Sequence, residues 1–217
     1  LSESEYQDGK ISWFENAQGS WIEHPIDSGN IFAHSLKVWR DEGSGAIHIF
    51  LAEMAQGGWN APYNYDARLI EYVSADQGKT WQKNVLYKGA GTHEATVCDI
   101  DNDGEMEIVG KVWGKDNVIP QVQMWKRVAS PSPVTNLKHS FIDEAKASRS
   151  SDILAASVRG KDQRDVFCGS THYQFENAKW SKVEIPGIAQ VINAYDIDGD
   201  GLDELIATKQ SASTRPA

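Results

Sequence analysis

Cysteine is nearly absent. Two residues, Cys98 and Cys168, in a chain of 217 exclude a disulfide framework, and no Cys-x-x-Cys pair occurs to suggest a structural zinc or redox site. Each lies in an apolar, strand-like run, so both read as buried free thiols. No apolar run of about 18 residues exists, which excludes a membrane-spanning helix. No secretory leader pattern is visible, and no Asn-x-Ser/Thr acceptor occurs. Positive charge is also scarce. Against 31 Asp+Glu there are 21 Lys+Arg, a formal net charge of −10. A nucleic-acid partner needs a basic face, so that class is set aside. An acidic surface suits cations or neutral sugars better than polyanions. Gly-x-Ser-x-Gly, Gly-x-Gly-x-x-Gly and P-loop motifs are missing, which removes the hydrolase-elbow and nucleotide-binding readings. Long amphipathic helical patterns are missing as well.

What is present is a series of short apolar stretches separated by Gly, Asp, Asn and Pro, such as Ile47–Leu51, Leu69–Val73, Ile108–Val112 and Leu205–Ala207. Eight Trp add to the β character. Regular short strands with turn signals between them predict an all-β protein. Repeats sharpen this. Trp13-Phe-Glu-Asn-Ala-Gln-Gly-Ser-Trp21 recurs as Phe175-Glu-Asn-Ala-Lys-Trp180 and, more loosely, as Tyr72–Trp81. Each is an aromatic strand, a polar turn and a Trp-led strand, the pattern of a β-hairpin with cross-strand aromatic packing. A second unit, strand–acidic turn–strand, runs from His34 through Arg40 to Leu51, from His93 through Asp99 to Gly110, and from Gln190 through Asp196 to Ala207, with a weaker copy at Ile153–Gly169. One unit of each kind makes four strands, and their spacing is of the order of the ~40–50 residues of a propeller blade. The expected fold is therefore a β-propeller of four-stranded antiparallel blades. Its sixteen candidate strands fall in groups of two, four, four, four and two, or four blade equivalents. The end halves would either complete one shared blade or belong to a larger propeller with further blades outside this chain. The start at Leu1 and a tail at 211–217 that reads as disordered favour the second arrangement, with residues 1–210 forming the blades.

The acidic turns read Asp99-Ile-Asp101-Asn-Asp103-Gly-Glu105-Met-Glu107 and Asp196-Ile-Asp198-Gly-Asp200-Gly-Leu202-Asp-Glu204. Carboxylates at positions 1, 3, 5 and 9 of a tight loop can converge on one centre, and position 7 (Glu105, Leu202) offers a backbone carbonyl. That donor set suits Ca²⁺, a hard cation taking six to eight oxygens. An EF-hand would need a Glu at position 12 and a following helix. Gly110 and Ala207 stand there instead, and strands follow, so two calcium turns of strand–loop–strand type are expected. The sister turn Arg40–His48 has lost the pattern, and no metal is expected there; the turn around Gly160–Asp165 is degraded too.

These turns resemble those of FG-GAP/VCBS repeats, Asp-x-Asp-x-Asp-Gly-x-x-Asp before an apolar strand, with Glu replacing the last Asp here. The resemblance covers most of the chain. It implies a β-propeller, often seven-bladed, with structural calcium in its blade turns and an extracellular, secreted setting. His93-Glu-Ala-Thr-Val and Gln190–Gly201 are also similar to the propeller of the fungal aldos-2-ulose dehydratase family, in which a propeller is joined to cupin domains. No cupin pattern occurs in this chain.

Two further sets of residues carry chemistry. His34, His93 and Gln190 each stand six residues before their turn, where inner strands would line a central channel. Two imidazoles there could bind a transition metal or act as acid and base, with Glu94 beside them. The plainer role is capping of the inner strands by hydrogen bonds. Trp59, Tyr63 and Tyr65 lie in a long loop and suit stacking on sugar rings or folding over their own blade. His24, His48, His139 and His172 read as solvent-facing. The expected function is a calcium-stabilised propeller that binds carbohydrate or protein ligands, more scaffold than enzyme. The alternative is the propeller part of a carbohydrate lyase or dehydratase with His34 and His93 as catalytic residues.

Overall fold

The computed structural model describes residues 8–54, 67–89, 91–112, 121–127, 137–144 and 152–209. The expected sugar-stacking residues Trp59, Tyr63 and Tyr65 and the tail at 211–217 lie outside them. All regular structure described is β, and no helix among the described residues is long and apolar enough to cross a membrane.

The strands group as the repeats predict. β1 (Asp8–Ala17) and β2 (Ser20–Ile31) form a two-stranded sheet. β3 (Ala33–Arg40), β4 (Ile47–Glu53), β5 (Arg68–Ser74) and β6 (Gln82–Lys88) form a four-stranded antiparallel meander. β7 (Glu94–Cys98), β8 (Glu107–Lys111), β9 (Val122–Arg127) and β10 (Leu137–Asp143) form the next. β11 (Ile153–Ala156), β12 (Asp165–Cys168), β13 (Thr171–Glu176) and β14 (Lys179–Glu184) form the third, and β15 (Ile188–Tyr195) and β16 (Glu204–Lys209) close the series as a second two-stranded sheet. Among the described residues, β1–β2 and β15–β16 are each two-stranded. What the structure establishes is thus a chain of repeated four-stranded antiparallel sheets. The hairpin turns follow local chemistry. Gln18 and Gly19 take φ of 54° and 92°, and Asn177 and Ala178 take 50° and 60°, the left-handed pair that matches strand twist in a two-residue hairpin.

The chain divides into two compact units, the first built on β1–β6 and the second on β7–β16. In the first unit, Ile11, Ile49, Leu51, Ile70 and Tyr72 form the core between the two sheets, with Ile26 and Trp81 against them. Trp13 Nε1 and Trp81 Nε1 both donate to the Gly78 carbonyl at 3.1 Å. A Cβ on Gly78, whose φ is +85°, would stand 3.3 Å from the Trp13 ring, so this close approach needs glycine. Tyr72 Oη donates to Asp27 at 2.7 Å, and Lys83 Nζ reaches the same carboxylate at 2.6 Å. The second unit repeats this clasp: Tyr173 Oη donates to Asp143 at 2.9 Å and Lys182 Nζ joins at 2.8 Å. In each case a tyrosine on the third strand of one sheet holds an aspartate from the fourth-strand position of the sheet before it.

The core of the second unit includes Cys98, Val109, Val122, Ile153, Val166 and Tyr173, whose burial contributes about 1.5–3 kcal/mol for each large apolar side chain. Ala156, Phe167 and Val191 form a smaller cluster. Asp203 ties the last hairpin to β11. Its amide donates to Ser157 O at 2.9 Å and its carboxylate accepts the Ser157 amide at 2.7 Å.

Candidate metal centres

Both acidic turns have one backbone architecture. The position-1 carboxylate cradles amides further round the loop: Asp99 accepts from Asp103 and Gly104 at 3.1 and 2.9 Å, and Asp196 accepts from Gly199 and Gly201 at 2.7 and 2.9 Å. At position 5, Asp103 and Asp200 turn one oxygen back to the amides of Glu105 and Leu202, at 2.9 and 2.7 Å. The position-9 residue opens the next strand, and its Oε2 accepts the position-2 amide at 2.8 Å in each: Glu107 from Ile100 and Glu204 from Ile197. Positive φ at Gly104 and Gly201, 90° in both, makes the turn. The result brings together carboxylate oxygens of Asp99, Asp101 and Glu107, and of Asp196, Asp198 and Glu204, each set within 4.8 Å. Three carboxylates this close repel one another unless a cation joins them, so each set is a group that could hold a metal ion. Glu105 and Leu202 enter these turns through the amides they donate to Asp103 and Asp200.

The electrostatics of the first turn are the more informative. Glu107 is 1% exposed, and its Oε1 has no hydrogen-bond partner. Burial raises the Glu107 pKa, against the bond from the Ile100 amide. Lys126, on β9, sends its ammonium into the cluster, 2.5 Å from Asp101 Oδ2, 2.6 Å from Asp103 Oδ2 and 3.4 Å from Glu107 Oε1. The bond from Lys126 holds the Asp103 pKa below its ordinary value.

The two altered turns give their position-9 residue partners from the chain itself, in different ways. At Ser157–Asp165 the position-9 carboxylate, Asp165, is fully buried, and Arg159 grips both its oxygens at 2.6 Å. His172 Nε2 adds a 2.9 Å contact and stacks on Phe167. At Arg40–His48 the position-9 residue is His48, bonded at 2.9 Å to the buried Glu71 and packed on Trp39. His48 and His172 are therefore not solvent-facing as expected; they turn toward carboxylates on neighbouring strands. His139 likewise stacks on Trp125 and bonds Gln123 at 2.6 Å. His24 keeps partial exposure while stacking on Trp13.

His34 and His93 are brought together within the first unit. Their rings lie 3.9 Å apart, and His34 Nδ1 meets the His93 carbonyl at 2.6 Å, the capping bond expected for an inner-strand histidine. Their ring nitrogens also fall within 4.8 Å, close enough to share a metal ion. Glu94, the next residue, opens β7 of the second unit. Gln190, the equivalent position in the last repeat, bonds Asp152 at 3.2 Å instead. Beside the first acidic turn lies a cavity of about 540 Å³ in which Lys161 and Arg164 face Asp99, Asp162 and Asp203.

The residues that sequence reasoning missed are the cations Lys126 and Arg159 and the two Asp–Tyr–Lys clasps. A signal for the clasps was available: Trp81-Gln-Lys83 matches Trp180-Ser-Lys182, and Ile26-Asp27 matches Ile142-Asp143. No family model matches the chain, and no curated protein sequence matches it significantly.

Proposed function

We propose that the chain is a section of a β-propeller in which the two intact acidic turns bind calcium and rigidify the ends of their sheets, leaving the loops to bind carbohydrate or protein ligands. The observation that carries this reading is the buried Glu107 Oε1, which accepts no hydrogen bond and has only the Lys126 ammonium at 3.4 Å, beside carboxylate oxygens of Asp99 and Asp101. A hard cation at bonding distance would satisfy it more fully than that long ion pair. Donors that are all oxygen favour calcium over a softer metal. The recurrence of the same bonds at Asp196–Glu204 supports a purpose shared by both turns. Asp99, Asp101, Asp103 and Glu107, and Asp196, Asp198, Asp200 and Glu204, would supply carboxylates; Glu105 and Leu202 would supply carbonyls. When bound, the ion neutralises each cluster and fixes the loop. The mixed charge of the neighbouring cavity fits a polar, uncharged ligand such as a sugar better than a strongly charged one.

The test is metal content and melting temperature. After dialysis against calcium the chain should retain about two ions, and chelation should lower its melting temperature, in keeping with the ~2.7 kcal/mol that ligand at 100 times its Kd supplies. A chelated protein that melts unchanged and holds no calcium would refute the reading.

The proximity of His34 and His93 favours a second reading, a propeller part of a carbohydrate lyase or dehydratase with a transition metal or acid–base pair at these histidines. Zinc or a similar ion that is retained by the protein and lost in H34A or H93A would support it.

A further inference from the structure

Lys126 occupies a position that the first acidic turn needs for a metal. Calcium lies about 2.3–2.6 Å from its oxygen ligands, and Lys126 Nζ lies 2.5 and 2.6 Å from oxygens of Asp101 and Asp103. The same nitrogen is 3.4 Å from the buried Glu107 Oε1. The ammonium therefore lies among three of the donors, and an ion that takes the oxygens of Asp101, Asp103 and Glu107 has to displace it. The register explains how it arrives there. Trp125 of β9 pairs with Ile108 of β8, so Lys126 stands across from Glu107, one strand over from the turn. At Asp196–Glu204 no strand among the described residues pairs with the other edge of β16. Among the described residues no ammonium or guanidinium pairs with Asp196, Asp198, Asp200 or Glu204. Lys161 lays both its stem and its ammonium against Gly201, without pairing with any of these four carboxylates.

We infer that Lys126 is a tethered competitor for calcium at the first turn, so that Asp99–Glu107 is the weaker, displaceable site and Asp196–Glu204 the tighter one. This rests on the calcium reading above. A side chain held on the adjacent strand competes at the high effective concentration of an intramolecular partner, and it cancels one of the charges on which calcium affinity depends. Filling the first turn expels the ammonium to solvent, which its flexible stem permits. The first turn is then occupied only at higher calcium, with Lys126 holding it closed below that level.

The test is calorimetric titration of the chelator-stripped chain with calcium chloride. The wild type should bind in two unequal phases. D198A should remove the tighter phase and leave the weaker, which assigns them. K126M should tighten the weaker phase by about tenfold or more, a change of about 1.4 kcal/mol or more, and leave the tighter unchanged. K126Q, which keeps length and polarity, should do the same if K126M folds poorly. In the wild type, acetylation of Lys126 followed by mass spectrometry should rise as calcium is added. A weaker phase unmoved in both variants overturns the competition while the calcium reading stands. Two phases that are equal in the wild type also overturn it. No binding in wild type or either variant overturns the calcium reading itself.

Discussion

The turns Asp99–Glu107 and Ser157–Asp165 occupy equivalent places in adjacent repeats of one unit, and each packs carboxylate against a cation from its own chain. In the first, the cation is an ammonium on a neighbouring strand that touches Asp101 and Asp103, the exposed members of the loop. In the second, it is a guanidinium inside the turn that grips a fully buried Asp165 with two bonds. Arginine's planar fork matches a carboxylate and is always charged, whereas lysine is a mobile point charge. One arrangement is permanent and the other exchangeable. The sequence difference runs through the loop: Ser157, Arg159 and Lys161 stand at positions 1, 3 and 5, where both acidic turns carry aspartates.

The sharpest way to break that comparison is R159M. It leaves the Asp165 carboxylate in the interior with only His172 beside it, and removing one partner of a buried pair costs about 3–5 kcal/mol. Urea unfolding should show a loss near 3 kcal/mol, largely recovered in R159M/D165N. A loss under about 1 kcal/mol, as for a surface pair, would place this pair with the exposed ones. A smaller effect is expected at the clasps. Y72F and Y173F each remove a hydroxyl bonded to a carboxylate, and each should cost about 1.5–3 kcal/mol. Equal losses would mean the seam is a repeated device; a loss in one variant alone would separate the two units. The smallest effect concerns acid. Although burial opposes it, bonds from Lys83 and Tyr72 hold the Asp27 pKa below 3.8. A carboxylate depressed on folding stabilises fully above its unfolded pKa, and that stability disappears as pH falls through the folded value. The wild type should therefore lose this contribution only below pH 3.8, and D27N should flatten that part of the acid-unfolding curve monitored by circular dichroism.

Strand grouping was legible because its signals are local. The loop Asp99-Ile-Asp101-Asn-Asp103-Gly104 dictates its own bend, and Asn177-Ala178 sets its hairpin within two residues. The cations were not legible, since Lys126 meets Asp101 across 25 residues of sequence, and nothing in Met124-Trp125-Lys126 announces that contact. Arg159 lies only six residues from Asp165, yet a turn recognised by its carboxylates looks merely degraded when Ser157, Arg159 and Lys161 replace three of them. The histidines failed for a related reason. Hairpin position suggests exposure for His48 and His172, but the ring direction follows from strand pairing, which puts His172 opposite Phe167 and within reach of Asp165. The pairing of His34 with His93 did follow from sequence, because both precede a turn by the same count.

Cys98 ends β7 immediately before Asp99, with 9% of its surface exposed, and burial pushes its thiol up to about 12. Cys168 lies in the same apolar cluster. Only a thiolate attacks alkylating reagents, so at neutral pH Cys98 stays silent while the second unit is closed. That silence makes it a native clock. The alkylation rate of Cys98 reports how often the strand feeding the first acidic turn lifts away, and a cation that locks the turn would slow it.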